Sequence, residues 1–304
     1  MRIKNRKTYF SFLAIFVSVL LAAYLISLIV PVFWTIMTSL KTIDEYENLG
    51  PNYSGNPLWW FKYEGPTFAH FATAFRRFMI PAYNRNGDPV TFNIIQQFAN
   101  SILYSVGCSV ATTGTAMIMG YATARFKYRF SNFIYAFVVA TMALPIVGAL
   151  PSEIRVATKL DLMNRFIGIW IMRATFLNTY FLIFNAQFKM IPYTYTEAAK
   201  IDGANPLSIM VKIILPLATG TISTVFVLNL IAYWNDFQIP MIYLESFPVA
   251  AYGMYVFKQS PEQDIAHIPT QMAGIWLMAM PIVIFYAIFN KKLTVNLSVG
   301  GIKG

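Results

Sequence analysis

Thr194 to Pro216 reads TYTEAAKIDGANPLSIMVKIILP, a polar-flanked interruption in the apolar second half of the chain. Thr194 followed three residues later by Glu197 has the pattern of a capping box, which predicts a helix starting there. Ala198, Ala199, Lys200 and Ile201 sustain it. Gly203 suits the position just past a helix end, where a left-handed backbone costs glycine little. Asn205-Pro206 then supplies the N-cap and first residue of a second helix, running through Ile209, Ile213 and Ile214 to Leu215-Pro216. Two short helices joined at a glycine are more than packing between apolar segments requires.

The composition sets the class of protein around this element. The chain is 57% hydrophobic and only 12% charged, against about 25% charged for an ordinary soluble domain. A bilayer protein is therefore expected. The single cysteine, Cys108, lies in an apolar run, so no disulfide framework exists. Two histidines, His70 and His267, make no His/Cys metal cluster, and no metal site is expected. The net charge of +10 is dispersed between apolar segments, which fits membrane topology and not a nucleic-acid patch.

A span needs about 20 mostly apolar residues. Six stretches qualify: roughly 9–37, 101–124, 131–151, 166–188, 213–235 and 270–290. The first is far longer than the core of a signal peptide and reads as an uncleaved span. The fold class is thus an all-α polytopic membrane protein, with both termini on one side. Domain organisation follows: 1–95 as a first span plus a long outer loop, and 96–304 as a five-helix core containing an elbow at about 190–216. Basic residues fix the side. Arg2, Lys4, Arg6 and Lys7, then Arg125, Lys127 and Arg129, then Lys189, Lys200 and Lys212, and finally Lys291, Lys292 and Lys303 fall on the face carrying the termini and elbow. Only Glu197 and Asp202 oppose them. That face is expected to be cytoplasmic.

In the first outer loop, Phe68, Phe71, Ala72, Phe75 and Phe78 recur at helical spacing and predict an amphipathic surface helix. Trp59, Trp60 and Phe61 before it fit either interfacial anchoring or an aromatic platform. Gly107, Ala111 and Thr115 form a small-residue face for close helix packing. Pro145, Pro151 and Pro216 stand at span ends, as hinges or plain terminators. Arg173 is the one charge well inside a span, either functional or snorkelling to the outer interface from two turns away. The outer loop at about 236–269 carries Asp236, Glu245, Glu262 and Asp264 and reads as a re-entrant or protruding loop, solvated or docking an external protein.

Much catalytic chemistry is absent. The sequence has no G-x-x-x-x-G-K-[ST], no G-x-S-x-G and no H-E-x-x-H, so no catalytic residues are assigned. Acids are scarce in the expected spans, against a carboxylate proton relay. An unpowered six-span chain with a structured elbow suggests a pore subunit driven by something bound to that elbow.

The elbow itself matches a family signature. Glu197-Ala198-Ala199, Gly203 and Ile213-x-Leu215-Pro216 resemble the EAA motif of ABC importer permeases. Asn100-Ser101, Gly120-Tyr121-Ala122, Ala124-Arg125, Ile191-Pro192, Ile201-Asp202-Gly203-Ala204, Trp234-Asn235-Asp236 and the terminal Gly300-Gly301-Ile302-Lys303-Gly304 resemble the sugar-type branch, close to the second permease of maltose-type importers. Asn296 departs from the glycine more common there. The resemblance implies a type I importer permease fold in a bacterial or archaeal cytoplasmic membrane. It implies four kinds of neighbour: a second permease, two ATPase subunits holding ATP and Mg, an extracytoplasmic solute-binding protein, and lipid. No cofactor is expected on this chain. Glu197, Ala198, Ala199, Asp202 and Gly203 would make the ATPase coupling contact. Asp236, Glu245 and Tyr252 are candidates for the binding-protein contact, and Arg173, Asn229 and Trp234 for the translocation path. A sugar or oligosaccharide is the expected solute, with a polyamine or glycerol phosphate importer, a stand-alone channel or a membrane enzyme as alternatives.

Overall fold

The computed structural model describes residues 2–47, 61, 64–84, 86–126, 128–144 and 148–297. The turn-rich residues from Asn48 to Pro57, the Trp59-Trp60 pair, Pro145 and the terminal residues 300–304 lie outside these. The helices are α1 (Arg2–Ser39), α2 (Ile43–Glu47), α3 (Ala69–Arg77), α4 (Ile94–Arg125), α5 (Arg129–Ala143), α6 (Leu150–Lys159), α7 (Phe166–Arg173) and α8 (Thr179–Met190). They continue as α9 (Thr194–Ile201), α10 (Pro206–Ile209), a π-helical turn (Met210–Ile214), α11 (Leu215–Leu217) and α12 (Thr219–Trp234). The last four are α13 (Gln238–Tyr243), α14 (Ala250–Lys258), α15 (Gln263–Ala266) and α16 (Ile268–Leu297). The expectation of an all-α chain needs one correction. Strands β1 (Ile80–Tyr83) and β2 (Pro89–Phe92) pair antiparallel, closed by a turn in which Asn84 Oδ1 accepts from the Asn86 and Asp88 amides. Asn86-Gly87, with Gly87 at φ +88°, is the hairpin signal that the hydrophobic pattern did not reveal.

The chain divides into two compact units, Met1–Phe78 with Val256–Met278, and Met79–Tyr255 with Ala279–Gly304.

In the first unit, α1 exposes apolar side chains continuously from Ile15 to Phe33. A helix apolar on all sides is one that lipid surrounds. The expected surface helix is α3, and its buried stripe is His70, Ala74 and Phe78, while Phe68 and Phe75 face outward. His70 Nδ1 lies 3.0 Å from Thr270 Oγ1, and His267 Nδ1 lies 2.9 Å from Glu47 Oε2. Glu262 and Asp264, read as acids of a loop either solvated or docking an external protein, both pair with Arg77. Burial holds the His70 imidazole below the usual histidine range; a hydrogen bond with the Lys41 backbone opposes this and the His267 charge adds to it.

In the second unit, α4 is the central post. Asn93 and Gln96 close a reciprocal capping box at its start. The small-residue face predicted at Gly107 is used: a Cβ there would collide with the Trp170 indole, whose Nε1 donates to the Leu103 carbonyl. Gly120 is the second close approach, to α8. A Cβ at Gly120 would sit 2.7 Å from Phe184 Cβ and 3.0 Å from the Asn185 amide nitrogen. Tyr121, Phe181, Phe184 and Phe188 fill the core around it.

Among the described residues, three helical segments are long and apolar enough to cross a bilayer, Ala14–Ser39, Ile94–Arg125 and Ile268–Ile288. A fourth is the pair Pro206–Leu217 and Thr219–Trp234, bent by 77°. The stretches expected as continuous spans at 131–151 and 166–188 are each divided, the first between α5 and α6, the second between α7 and α8. Asn178 sets the latter break by capping α8 through the Phe181 amide.

Two measurements follow from these packings. Gly120→Ala overpacks the α4–α8 seam and lowers stability by about 1–3 kcal/mol, seen as a reduced apparent Tm. A histidine whose pKa is lowered by folding binds more protons when unfolded. Stability therefore falls as pH drops below about 6.5 towards the depressed value. The apparent Tm of the native chain declines over that window, and His70→Gln flattens the decline.

Candidate coupling elbow and polar seam

The elbow forms as two helices around a glycine, with one local difference from expectation. Tyr193 is already helical at φ −70° and ψ −19°, so α9 starts without a side-chain cap. The Thr196 and Glu197 amides both donate to the Tyr193 carbonyl, and Thr194 is inside the first turn, where a capping box cannot form. The far end is as read. Gly203, at φ +77°, donates to the Lys200 carbonyl, and Ala204 donates to the Ala199 carbonyl. That pair of bonds is a Schellman motif. Asn205 Oδ1 accepts from the Ser208 amide at 2.7 Å, and Pro206 opens α10.

One face of the elbow is anchored and the other is open. Thr196, Ala199, Ile209 and Ile214 are buried. Glu197, Ala198, Asp202 and Gly203 are exposed, as are Ile201 at 86% and Leu207 at 66%. Of the five coupling candidates, Ala199 therefore lies in the core, while Ala198 beside it is exposed. Ile201 and Leu207 are the prominent outward apolar groups. The exposure of Ile201 comes from the helix phase set at Tyr193, which the motif alone did not show.

Beyond the elbow, the π turn has a covalent cause. Pro216 has no N–H to donate and its ring crowds the carbonyl four residues back. The Leu215 amide reaches across to Met210 O instead, widening the turn. Ala218, at φ −102° and ψ 5°, then breaks the helix into the 77° bend.

A polar seam runs between α4, α7 and α12. Thr112 Oγ1 donates to the Arg173 carbonyl at 3.0 Å and lies 2.7 Å from Tyr233 Oη. Tyr104 donates to Asp236 Oδ2 at 2.7 Å, and Asn229 Nδ2 donates to Thr113 Oγ1 at 3.1 Å. Arg173 Nε and Tyr243 Oη are buried without a hydrogen-bond partner among the described residues.

Comparison with known proteins agrees with this architecture. Residues 113–295 match the family of binding-protein-dependent transport system inner membrane components. The chain belongs to that family. It is 28% identical over 291 residues to the inner membrane ABC transporter permease YcjP of Escherichia coli K12, covering 93% of this chain and 94% of that one. It is 24% identical to the diacetylchitobiose uptake permease NgcG of Streptomyces coelicolor, covering 92% and 86%. A crystal structure of a bacterial ABC transporter involved in import of the acidic polysaccharide alginate superposes with a TM-score of 0.73 at 21% identity, covering 92% of this chain and 96% of that one. The chain is thus a membrane-embedded transport component and not an enzyme. As an ABC importer permease it works with an ATPase and a solute-binding protein.

The permease places its other candidates unevenly. Arg173 is two turns into α7, yet its carbonyl is level with Thr112, about 27 Å along α4. Asn229 and Trp234 are turned into the bundle, Trp234 stacked on Phe98. Asp236 caps the Gln238 and Ile239 amides and accepts from Tyr104, so its carboxylate serves the fold. Glu245 is exposed, and Tyr252 stacks on Tyr255. The segment around them packs against the protein: Leu244, Ser246, Val249 and Ala250 are buried. Asn100 donates to the Pro248 carbonyl, Ser101 Oγ accepts from Ala250, and Asn164 holds both Ser246 Oγ and its amide. The sequence pointed to none of Tyr104, Thr112, Tyr233 or Asn164, because isolated hydroxyls and amides in apolar runs carry no spacing signal.

Gly203→Ala strains the left-handed position by about 1 kcal/mol. Amide exchange across Thr194–Ala204 is expected to accelerate roughly fivefold while α4 is unchanged.

Proposed function

We propose that this permease is one of two non-identical membrane subunits of an ATP-driven importer that carries a sugar or oligosaccharide. The single observation behind the coupling role is the exposed face bearing Ile201 and Leu207 on an elbow whose other face is anchored in the core. An apolar pair left in water on a rigid support fits a groove on an ATPase subunit. Glu197 and Asp202 on the same exposed side offer charge pairing at its rim. Two such ATPases would hold ATP and Mg, with no cofactor on this chain.

In this reading six segments cross a bacterial or archaeal cytoplasmic membrane, with α5–α6 and α7–α8 as broken crossings and both termini in the cytoplasm. Irregular backbone at membrane depth is tolerated where protein covers it or a watery path runs beside it. The α7–α8 break satisfies the first condition through Thr112 and Asn178. Arg173 stands at that break and is the residue assigned to the translocation path. Asn229 and Trp234 support it from the packed seam. On the opposite face, Glu245 and the loop before Tyr252 would meet the solute-binding protein. The sugar assignment is supported by the sugar-uptake names of relatives such as NgcG.

Burying an apolar side chain stabilises a complex by about 1.5–3 kcal/mol. Replacing Ile201 and Leu207 together by Asp is therefore expected to weaken ATPase binding at least a hundredfold. Co-purification with the tagged ATPase reads this out, with the variant's own apparent Tm unchanged. Retained ATPase at native yield refutes the coupling role. In proteoliposomes of the complete importer, a sugar with its binding protein should stimulate ATP hydrolysis; stimulation by a polyamine alone would overturn the solute assignment.

A further inference from the structure

A second site sits away from the elbow's exposed face. A cavity of about 670 Å³ opens where α4 ends, α5 begins and α8 ends. Arg125, Arg129 and Lys189 line it, with Asn132, Tyr128 and Tyr193, and no carboxylate is among the lining residues. Arg125 is only 8% exposed. Its Nη2 donates to the Ile191 carbonyl at 2.9 Å, while its Nε is buried with no hydrogen-bond partner among the described residues. Its guanidinium also lies 5.9 Å from the Tyr193 ring centroid. Lys189 rests 5.0 Å over the Tyr135 ring. Among the described residues none of the three cations makes an ion pair.

Burying a guanidinium without a carboxylate is costly, and a site that does so is completed by an anion. The donors are all N–H and O–H groups, so they suit an oxyanion with several oxygens. The depth of the cavity identifies which kind. α4 is about 48 Å long, and the hydrocarbon layer is about 30 Å, so its terminal Arg125 falls at headgroup level. From Arg129 onward, α5 carries Phe130, Phe133 and Phe137, exposed and stacked in succession at 6.2 and 6.1 Å between centroids. That aromatic stripe begins beside the cavity and leads away from the cations.

We infer that this cavity binds the phosphate headgroup of an anionic glycerophospholipid, with its acyl chains lying along the Phe130–Phe133–Phe137 stripe. The inference needs only that the chain spans a bilayer, and is independent of the transported solute.

The test uses the complete importer in detergent, offered phosphatidylglycerol and phosphatidylcholine of identical acyl chains and followed by native mass spectrometry. Phosphatidylglycerol is expected to be retained in preference. Each basic residue near an anionic headgroup contributes about fivefold, so R129Q with K189Q should weaken retention roughly thirtyfold. Both residues are exposed, and their loss leaves the core intact. R155Q with K159Q, two exposed cations on α6, should leave retention unchanged. Equal retention of both lipids overturns the inference, as does equal loss in the two variants. Inorganic phosphate displacing phosphatidylglycerol at matched concentration would make this a free-phosphate site. Absence of any lipid from a complex with ATPase bound would mean that a partner side chain fills the cavity, and would overturn it too.

Discussion

A peptide group inside hydrocarbon finds no water, and each one left unsatisfied costs several kcal/mol. The permease interrupts its helices repeatedly, so its architecture depends on side chains that repair the breaks. Thr112 takes up the Arg173 carbonyl where α7 ends. Asn178 binds the Thr175 carbonyl and the Phe181 amide where α8 starts. Asn164, itself left-handed at φ 57°, holds Ser246 at two points, and Asn100 reaches the Pro248 carbonyl. Threonine and asparagine serve because they are short and hydrogen-bond backbone locally. Continuous helices would need none of them, and would leave no polar seam between α4, α7 and α12.

The same groups explain what was legible in the chain. Turn chemistry is local, so Gly203 and Asn205 could be read at their positions and both behave as their residue types dictate. Long apolar runs were equally plain at α1, α4 and α16. Hydropathy averages over a window, however, and cannot see the five-residue break between α7 and α8, where Thr175 and Asn178 are outweighed by apolar neighbours. The hairpin at Ile80–Phe92 escaped because its strands are four residues each. Helix phase was the third blind spot. Ala198 and Ala199 look alike in sequence, but Tyr193 starts α9 in a phase that buries Ala199. The same phase lifts Ile201 into the open. Asp236 shows the limit for single acids: an outer-loop carboxylate looked available, and the fold had already used both oxygens.

How the elbow is joined to the bundle bears on what it can transmit. A Schellman turn and an N-cap fix α9 against α10, and Thr196, Ala199, Ile209 and Ile214 hold both to the core. A push on Ile201 or Leu207 therefore moves the elbow as a body and does not dissipate in its joint. The compliant point lies farther on. Pro216 removes a donor, the π turn accommodates the loss through Leu215 and Met210, and the chain turns by 77° before α12. α12 carries Asn229, Tyr233 and Trp234, and Tyr233 meets Thr112 at the Arg173 carbonyl. In the proposed coupling role, a rigid elbow in series with a bent, π-widened helix would carry a displacement at one end into α12 at the other. Interfaces of packed side chains switch between discrete arrangements and do not deform smoothly. The proline-driven widening is thus a structural consequence of one missing N–H, and it sits on the shortest covalent route from the exposed apolar pair to the polar seam.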